Sequence, residues 1–180
     1  MDKIKANIGF EVMSLFFKLR DLRLPRINIL NELGLKAGSS VLDYGCGPGS
    51  YITTLVELVG ESGMVYALDT YPLAIKKVQG IIEKKGLSNV KTIYSDCKTG
   101  LQNNSMDAVL LYDTFHDLSS PNEVLEELHR VLKPEGILSF SDHHMKEIDI
   151  VSRVAESGWF KLLNKGQKTY SFFPQKSSTE

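Results

Sequence analysis

The chain has little that would mark it for a membrane, a polynucleotide or a metal. Its two cysteines, Cys46 and Cys97, fall in unrelated stretches. They provide neither a disulfide framework nor a metal-site spacing. No apolar run reaches the length of a membrane span, and the amino terminus lacks a signal-peptide pattern. A cytoplasmic address is the expectation. An excess of one charge is also missing. The 21 basic and 22 acidic residues leave a net −1, so no electrostatic footprint points to nucleic acid. Internal repeats and low-complexity tracts are absent from the sequence. What remains is ordinary for one globular domain: 180 residues, 42% hydrophobic and 24% charged. Such a core folds without staples.

The most informative stretch is Val41-Leu42-Asp43-Tyr44-Gly45-Cys46-Gly47-Pro48-Gly49-Ser50. It reads as a buried strand, a glycine-rich turn and the start of a helix. Glycines let such a turn approach a ligand closely. Asp43 would repel a pyrophosphate but suits a ligand with positive charge. Pro48 removes one of the backbone N–H groups on which phosphate loops depend. Ser50 stands where the dinucleotide fingerprint needs its third glycine. The loop therefore fits a cation better than a phosphate.

This segment resembles motif I of the class I S-adenosylmethionine-dependent methyltransferases, an acid followed by G-x-G-x-G. Further stretches resemble that family in order: Met64–Asp69 its second strand and terminal acid, Tyr94–Cys97 the third-strand acid, Met106–Tyr112 the fourth strand, Leu128–Leu138 the next helix, turn and strand. The likeness covers about residues 30 to 175, and loosely favours the small-molecule, ubiquinone/menaquinone-like branch. It implies a Rossmann-like methyltransferase fold: α/β, doubly wound, a mostly parallel seven-stranded sheet with one antiparallel strand and the order 3-2-1-4-5-7-6. The residue pattern itself predicts five alternating strands and helices ending in a β-hairpin, with one strand reversed.

The expected units are a helical lid or cap over 1–35, the binding domain over 36–175 and a polar, frayed tail over 176–180. In the opening helix, Ile8, Val12, Leu15, Phe16, Leu19 and Leu22 share one face at spacings of three and four. Phe10, Met13 and Phe17 widen it. This face is expected to pack on the domain; a mobile lid is the sharper alternative, a membrane-surface helix another. A short helix from Arg26 should end at Gly34. Ser120-Pro121-Asn122-Glu123 reads as a capping box, with its helix stopping before Lys133-Pro134-Glu135-Gly136 and a strand from Gly136 to Ser141.

The resemblance implies S-adenosylmethionine as cofactor. Gly45, Cys46, Gly47 and Gly49 would pass close to it, and Asp43 would face its α-ammonium. Asp69, with Thr70 beside it, would accept from the ribose hydroxyls. Asp96 would accept from the adenine amino group, with Cys97 offering its N–H or packing on the ring. Tyr112 would close the pocket. Each aspartate could instead serve as a helix cap or turn acceptor, and Tyr71 could lie near the adenine.

Methyl transfer from a sulfonium is an in-line displacement that needs mainly alignment. A base is needed only for a protonated nucleophile. Two segments should meet on the acceptor side: Tyr112-Asp113-Thr114-Phe115-His116-Asp117 and Ser141-Asp142-His143-His144-Met145. His116 is the first candidate for a base or substrate orienter, and Asp113 could accept from substrate or position that histidine. If the strand continued, His143 and His144 would point to opposite sides. These histidines make a metal conceivable, but no spacing fixes one, and none is assigned. His129 reads as structural.

The acceptor is expected to be a small or quinone-like molecule. The N/D-P-P-Y/F pattern of amino-methylating nucleic-acid enzymes is missing, and two scattered cysteines argue against arsenic methylation. Two other readings stay open: a non-catalytic S-adenosylmethionine-binding protein or partner subunit, and an NAD-dependent oxidoreductase. A homodimer is possible.

Overall fold

The computed structural model describes residues 2–23 and 26–175. The expected fraying of the tail over 176–180 lies outside them. Helix α1 spans Asp2–Arg23, and α2 (Ile27–Leu30) runs on into a 3-10 turn at Asn31–Leu33. The alternating region follows: β1 (Ser40–Tyr44), α3 (Ile52–Val59), β2 (Met64–Asp69), α4 (Pro72–Lys85), β3 (Val90–Tyr94) and β4 (Met106–Tyr112). A 3-10 turn at Phe115–Asp117 leads to α5 (Pro121–Val131), β5 (Leu132–Ser141), α6 (Glu147–Glu156) and the hairpin β6 (Phe160–Lys165) and β7 (Tyr170–Pro174).

The strands form one sheet in the order β3-β2-β1-β4-β5-β7-β6. The pairings from β3 through β5 are parallel, and β7 runs antiparallel to both β5 and β6. The expected class, order and single reversed strand are all present. Strands covered on both faces read as continuous apolar runs, as in the wholly buried Ala108–Tyr112. Two cores result. One packs α5 and α6 through Val124, Leu128, Ile150 and Val154. The other packs α2, α3 and α4 through Leu30, Ile52, Leu55 and Val78. Strand order reverses between β1 and β4, and a crevice opens at their carboxyl ends.

Three local expectations need correction. Ser120 is the N-cap of α5 but makes no side-chain cap hydrogen bond; Pro121 alone carries the start signal. Strand β5 begins directly at Leu132, not at Gly136, with a register shift against β4 between Met106 and Ala108. At Gly136 a side chain would press on Leu132, Lys133 O and Met106 O, so the irregularity needs a glycine.

The third concerns α1. Ile8, Val12, Leu15, Phe16 and Leu19, expected to face the domain, are exposed. Phe10 and Ser14 are the buried residues instead, and the Ser14 hydroxyl turns back to donate to Phe10 O at 2.8 Å. Phe10 packs on Tyr71 at 5.0 Å, the Tyr71 hydroxyl donates to Asn7 Oδ1 at 2.5 Å, and Lys77 pairs with Glu11 at 2.6 Å. Two overlapping apolar stripes occur in this helix, and the one with partners on α4 docks.

Candidate active site

A cavity of about 800 Å³ lies over the carboxyl ends of β1, β2 and β4, a size suited to a ligand larger than a single metabolite ring. The Gly45–Gly49 loop forms one wall. Each glycine there answers a different demand. At Gly45 (φ 80°) a side chain would overlap Thr114, so glycine lets the loop after β4 cross close by. At Gly47 (φ 50°) nothing lies within 4 Å and the chain faces the cavity. Gly49 (φ 87°) does not line the cavity. A side chain there would press on Ile81 and Val78 of α4, so it serves helix packing rather than ligand approach.

The loop's donors are already engaged. Gly45 N and Cys46 N both donate to Leu68 O, at 2.8 and 2.9 Å, and Gly49 N donates to Cys46 O. Gly47 N donates to the Asp69 carboxylate at 2.9 Å. A phosphate-binding nest needs such N–H groups turned toward the ligand. This arrangement weighs against the dinucleotide reading on structural grounds.

Three carboxylates gather at this end. Asp69 lines the cavity while accepting Gly47 N and Tyr71 N. It therefore does the turn acceptor's work and still has lone pairs to offer. Burial raises its pKa, and those backbone donors oppose the shift. Asp96 and Cys97 line the cavity beyond it, fixed by the Tyr44 hydroxyl donating to Asp96 O at 2.9 Å. The Cys97 N–H already leans on Ser95 Oγ at 3.4 Å.

Asp43 is buried behind the wall and does not itself line the cavity. Burial, then the nearby Asp69 charge, pushes its carboxyl from 3.8 up to about 7. Its Oδ2 has no hydrogen-bond partner among the described residues. An orphaned buried oxygen beside a second carboxylate favours a cation nearby.

Aromatic residues also line the cavity. Tyr51 meets Tyr112 edge to face at 5.1 Å. The Tyr112 hydroxyl is tied to Ser139 Oγ at 2.7 Å, so its ring rather than its oxygen faces the cavity. Burial pushes the Tyr51 hydroxyl up to about 12, and the nearby Arg26 charge opposes the shift. From α1, Phe10, Met13, Phe17 and Arg20 complete the wall, the Arg20 guanidinium resting 4.1 Å from the Phe17 centroid. The lid alternative set this helix over the pocket but did not name which α1 residues would face it. The signal was there: positions 10, 13 and 17 repeat at helical spacing beside a small Ser14.

Of the two expected catalytic residues, Asp113 lines the cavity and His116 does not. Asp113 adopts φ 50°, an unusual angle for a residue with a side chain. His116 is turned away: its Nδ1 lies 2.8 Å from buried Asp142 Oδ2. Its Nε2 lies 3.4 Å from Asp117, whose residue does line the cavity. Strand β5 stops at Ser141, so the condition under which His143 and His144 would point to opposite sides is not met. Their ring centroids lie 3.9 Å apart at a tilt of 43°, and His144 lies 4.2 Å from His116 at 44°. Among the described residues no three His, Cys, Asp or Glu side chains are arranged for a metal. His129 is structural, bonding Gln175 O at 2.7 Å and packing on Trp159 and Phe160.

A family model described as a methyltransferase domain matches residues 35–175. The chain belongs to the methyltransferase domain family. This methyltransferase is 31% identical over 137 residues to a demethylmenaquinone methyltransferase of Geobacillus kaustophilus, covering 76% of this chain and 58% of the relative. It is 32% identical over 114 residues to a protein-L-isoaspartate O-methyltransferase of Methanococcus aeolicus, covering 61% and 51%. A crystal structure of a SAM-dependent methyltransferase from Aquifex aeolicus shares 30% identity at a TM-score of 0.75, covering 87% of this chain and 97% of that one. The chain spans about half the length of the curated relatives it matches. Family and fold place it among the class I S-adenosylmethionine-dependent methyltransferases.

Proposed function

We propose that this chain transfers the methyl group of S-adenosylmethionine to a small, largely apolar acceptor that carries a ring. The mixed lining of the cavity carries this reading. Asp69 and Asp96 share it with Phe10, Met13, Phe17, Tyr51 and Tyr112. S-adenosylmethionine fits the carboxylates, with two cationic centres and no phosphate. Asp43, behind the wall, favours the α-ammonium by its charge, Asp69 takes the ribose hydroxyls, Asp96 the adenine amino group, and Gly47 leaves room for the chain of the methionine. Thr70 and Cys97 border the nucleoside.

Bound S-adenosylmethionine supplies a methyl already activated by its sulfonium: the carbon–sulfur bond breaks with both electrons left on sulfur as the acceptor bonds the carbon. The protein's part is alignment and proton handling. The aromatic side chains hold the acceptor flat and exclude water. Asp113 takes the proton of a hydroxyl or an acidic carbon. His116 acts through Asp117, as a positioning residue. The Geobacillus relative is named for a demethylated menaquinone, and a quinol ring matches this wall. The isoaspartate relative is named for a different acceptor at similar identity, so the lining, not the identity, favours the ring.

The test is calorimetric titration with S-adenosylmethionine, S-adenosylhomocysteine and NAD, then a methyl-transfer screen with naphthoquinols and other small ring acceptors. Saturable binding of the first two alone supports the cofactor assignment. Binding of NAD alone overturns it. Transfer only to non-ring acceptors overturns the acceptor class.

A further inference from the structure

We propose that the outer stripe of α1 docks the protein on an anionic lipid surface. Ile8, Val12, Leu15, Phe16 and Leu19 are between 56% and 65% exposed. Their spacing places them on one face over about three turns, roughly 17 Å of helix. Monomeric proteins seldom leave so continuous an apolar strip in water. The strip has no cover among the described residues. The opposite face is already docked through Phe10, Ser14 and Tyr71, so rolling the helix to bury one stripe would expose the other. A helix apolar on both faces belongs between two apolar surroundings.

Charge selects the second surrounding. Over Asp2–Arg23 the sequence carries five basic and three acidic residues, a net +2 on a chain whose total is −1. One of those acids, Glu11, is already paired to Lys77. The helix is thus cationic and the rest of the protein anionic. Lysine precedes the stripe at Lys3 and Lys5, and basic residues follow within it and after it. That order suits a helix lying in a bilayer interface, where basic ends meet acidic headgroups and the apolar face enters the acyl boundary. Isologous pairing with a second copy would bring two like-charged helices together. A single such helix gives reversible attachment, not insertion. No helix among the described residues is long and apolar enough to cross a membrane. The docked helix would be the one whose inner face lines the cavity, so the pocket would open beside the lipid.

The experiment is flotation of the full chain with vesicles of phosphatidylcholine mixed with phosphatidylglycerol, and of phosphatidylcholine alone. Light scattering gives the oligomeric state in parallel. The test variant is Leu15→Gln with Phe16→Gln. The control is Ile148→Gln, which removes an equally exposed apolar side chain from α6. The expected result is flotation with the acidic vesicles, weakened by salt, about tenfold lower in the double variant and unchanged in the control. The proposal is overturned if the wild type stays with the soluble fraction, or if the double variant floats as well as the wild type. A dimer that the double variant converts to monomer, without lipid binding, overturns it in favour of a second copy.

Discussion

Asp142 holds His116 by two donors at once. Its Oδ2 accepts the His116 backbone N–H at 3.1 Å and lies 2.8 Å from Nδ1. The converse contact joins Asp113 to His143, at 3.0 Å from the backbone nitrogen and 2.7 Å from Nδ1. Each loop therefore gives the other one aspartate and takes one histidine. This crossed clasp fixes the strained Asp113 at the cavity edge, which one loop alone would not do.

The two halves of the clasp should differ in strength. Asp142 is buried and also accepts His144 N at 3.1 Å, whereas the Asp113 and His143 side chains are 31% and 67% exposed. Asp142→Ala should lower unfolding stability by about 2–4 kcal/mol, and His143→Ala by under about 1 kcal/mol. Denaturant unfolding of both variants checks this. Equal losses would mean that burial does not set the hierarchy.

Asp43 should make stability fall as pH rises. Its folded-state pKa lies above its ordinary one, at about 7 against 3.8. The native state therefore binds the extra proton between those values, and the penalty grows across that window and is complete above it. Asp43→Asn should stabilise the protein near pH 8 by up to about 4 kcal/mol, and by little near pH 4. Thermal melts at the two pH values decide; a gain independent of pH would sink the argument.

Cofactor binding should release a proton from the same group. A ligand ammonium beside Asp43 favours the ionised carboxyl, so affinity should rise with pH up to about 7. Titrating S-adenosylhomocysteine near pH 6, in buffers of unlike ionisation enthalpy, should show up to about one proton released per ligand. Buffer-independent heat would remove the ammonium from Asp43.

Two glycine variants should separate strain from collision. Gly47→Ala meets open space and only an unfavourable φ of 50°, so it should cost about 1–2 kcal/mol. Gly45→Ala adds overlap with Thr114 and should cost about 2–4 kcal/mol, relieved in part by Thr114→Gly. Unfolding free energies test the order. A Gly45→Ala loss no larger than that of Gly47→Ala would mean the loop after β4 simply moves.

Much of the fold was legible because local signals agreed with it. Ser40–Tyr44 and Val90–Tyr94 are rich in the β-branched and aromatic residues that favour strands and are bounded by turn residues, and the structure has strands at those positions. Gly34, expected to end its helix, adopts the left-handed angles that favour glycine there, as Gly86 does after α4. Ser120 shows the limit of such reading. Its sequence context fits a capping box, yet Ser120 and Glu123 both line the cavity.

The site divides in the same way. The residue order along the chain determined the strand–loop–helix at Asp43–Gly49, the acids at strand ends, and a loop unsuited to phosphate, because each depends on neighbours in sequence. Only the tertiary structure decided which stripe of α1 docks, that Gly49 packs on α4, and that His116 turns from the cavity toward Asp142. Those outcomes depend on partners far along the chain: Tyr71 for α1, Val78 and Ile81 for Gly49, Asp142 for His116. Periodicity names the faces that can be buried. It is the competition among distant surfaces for the same contact that selects one.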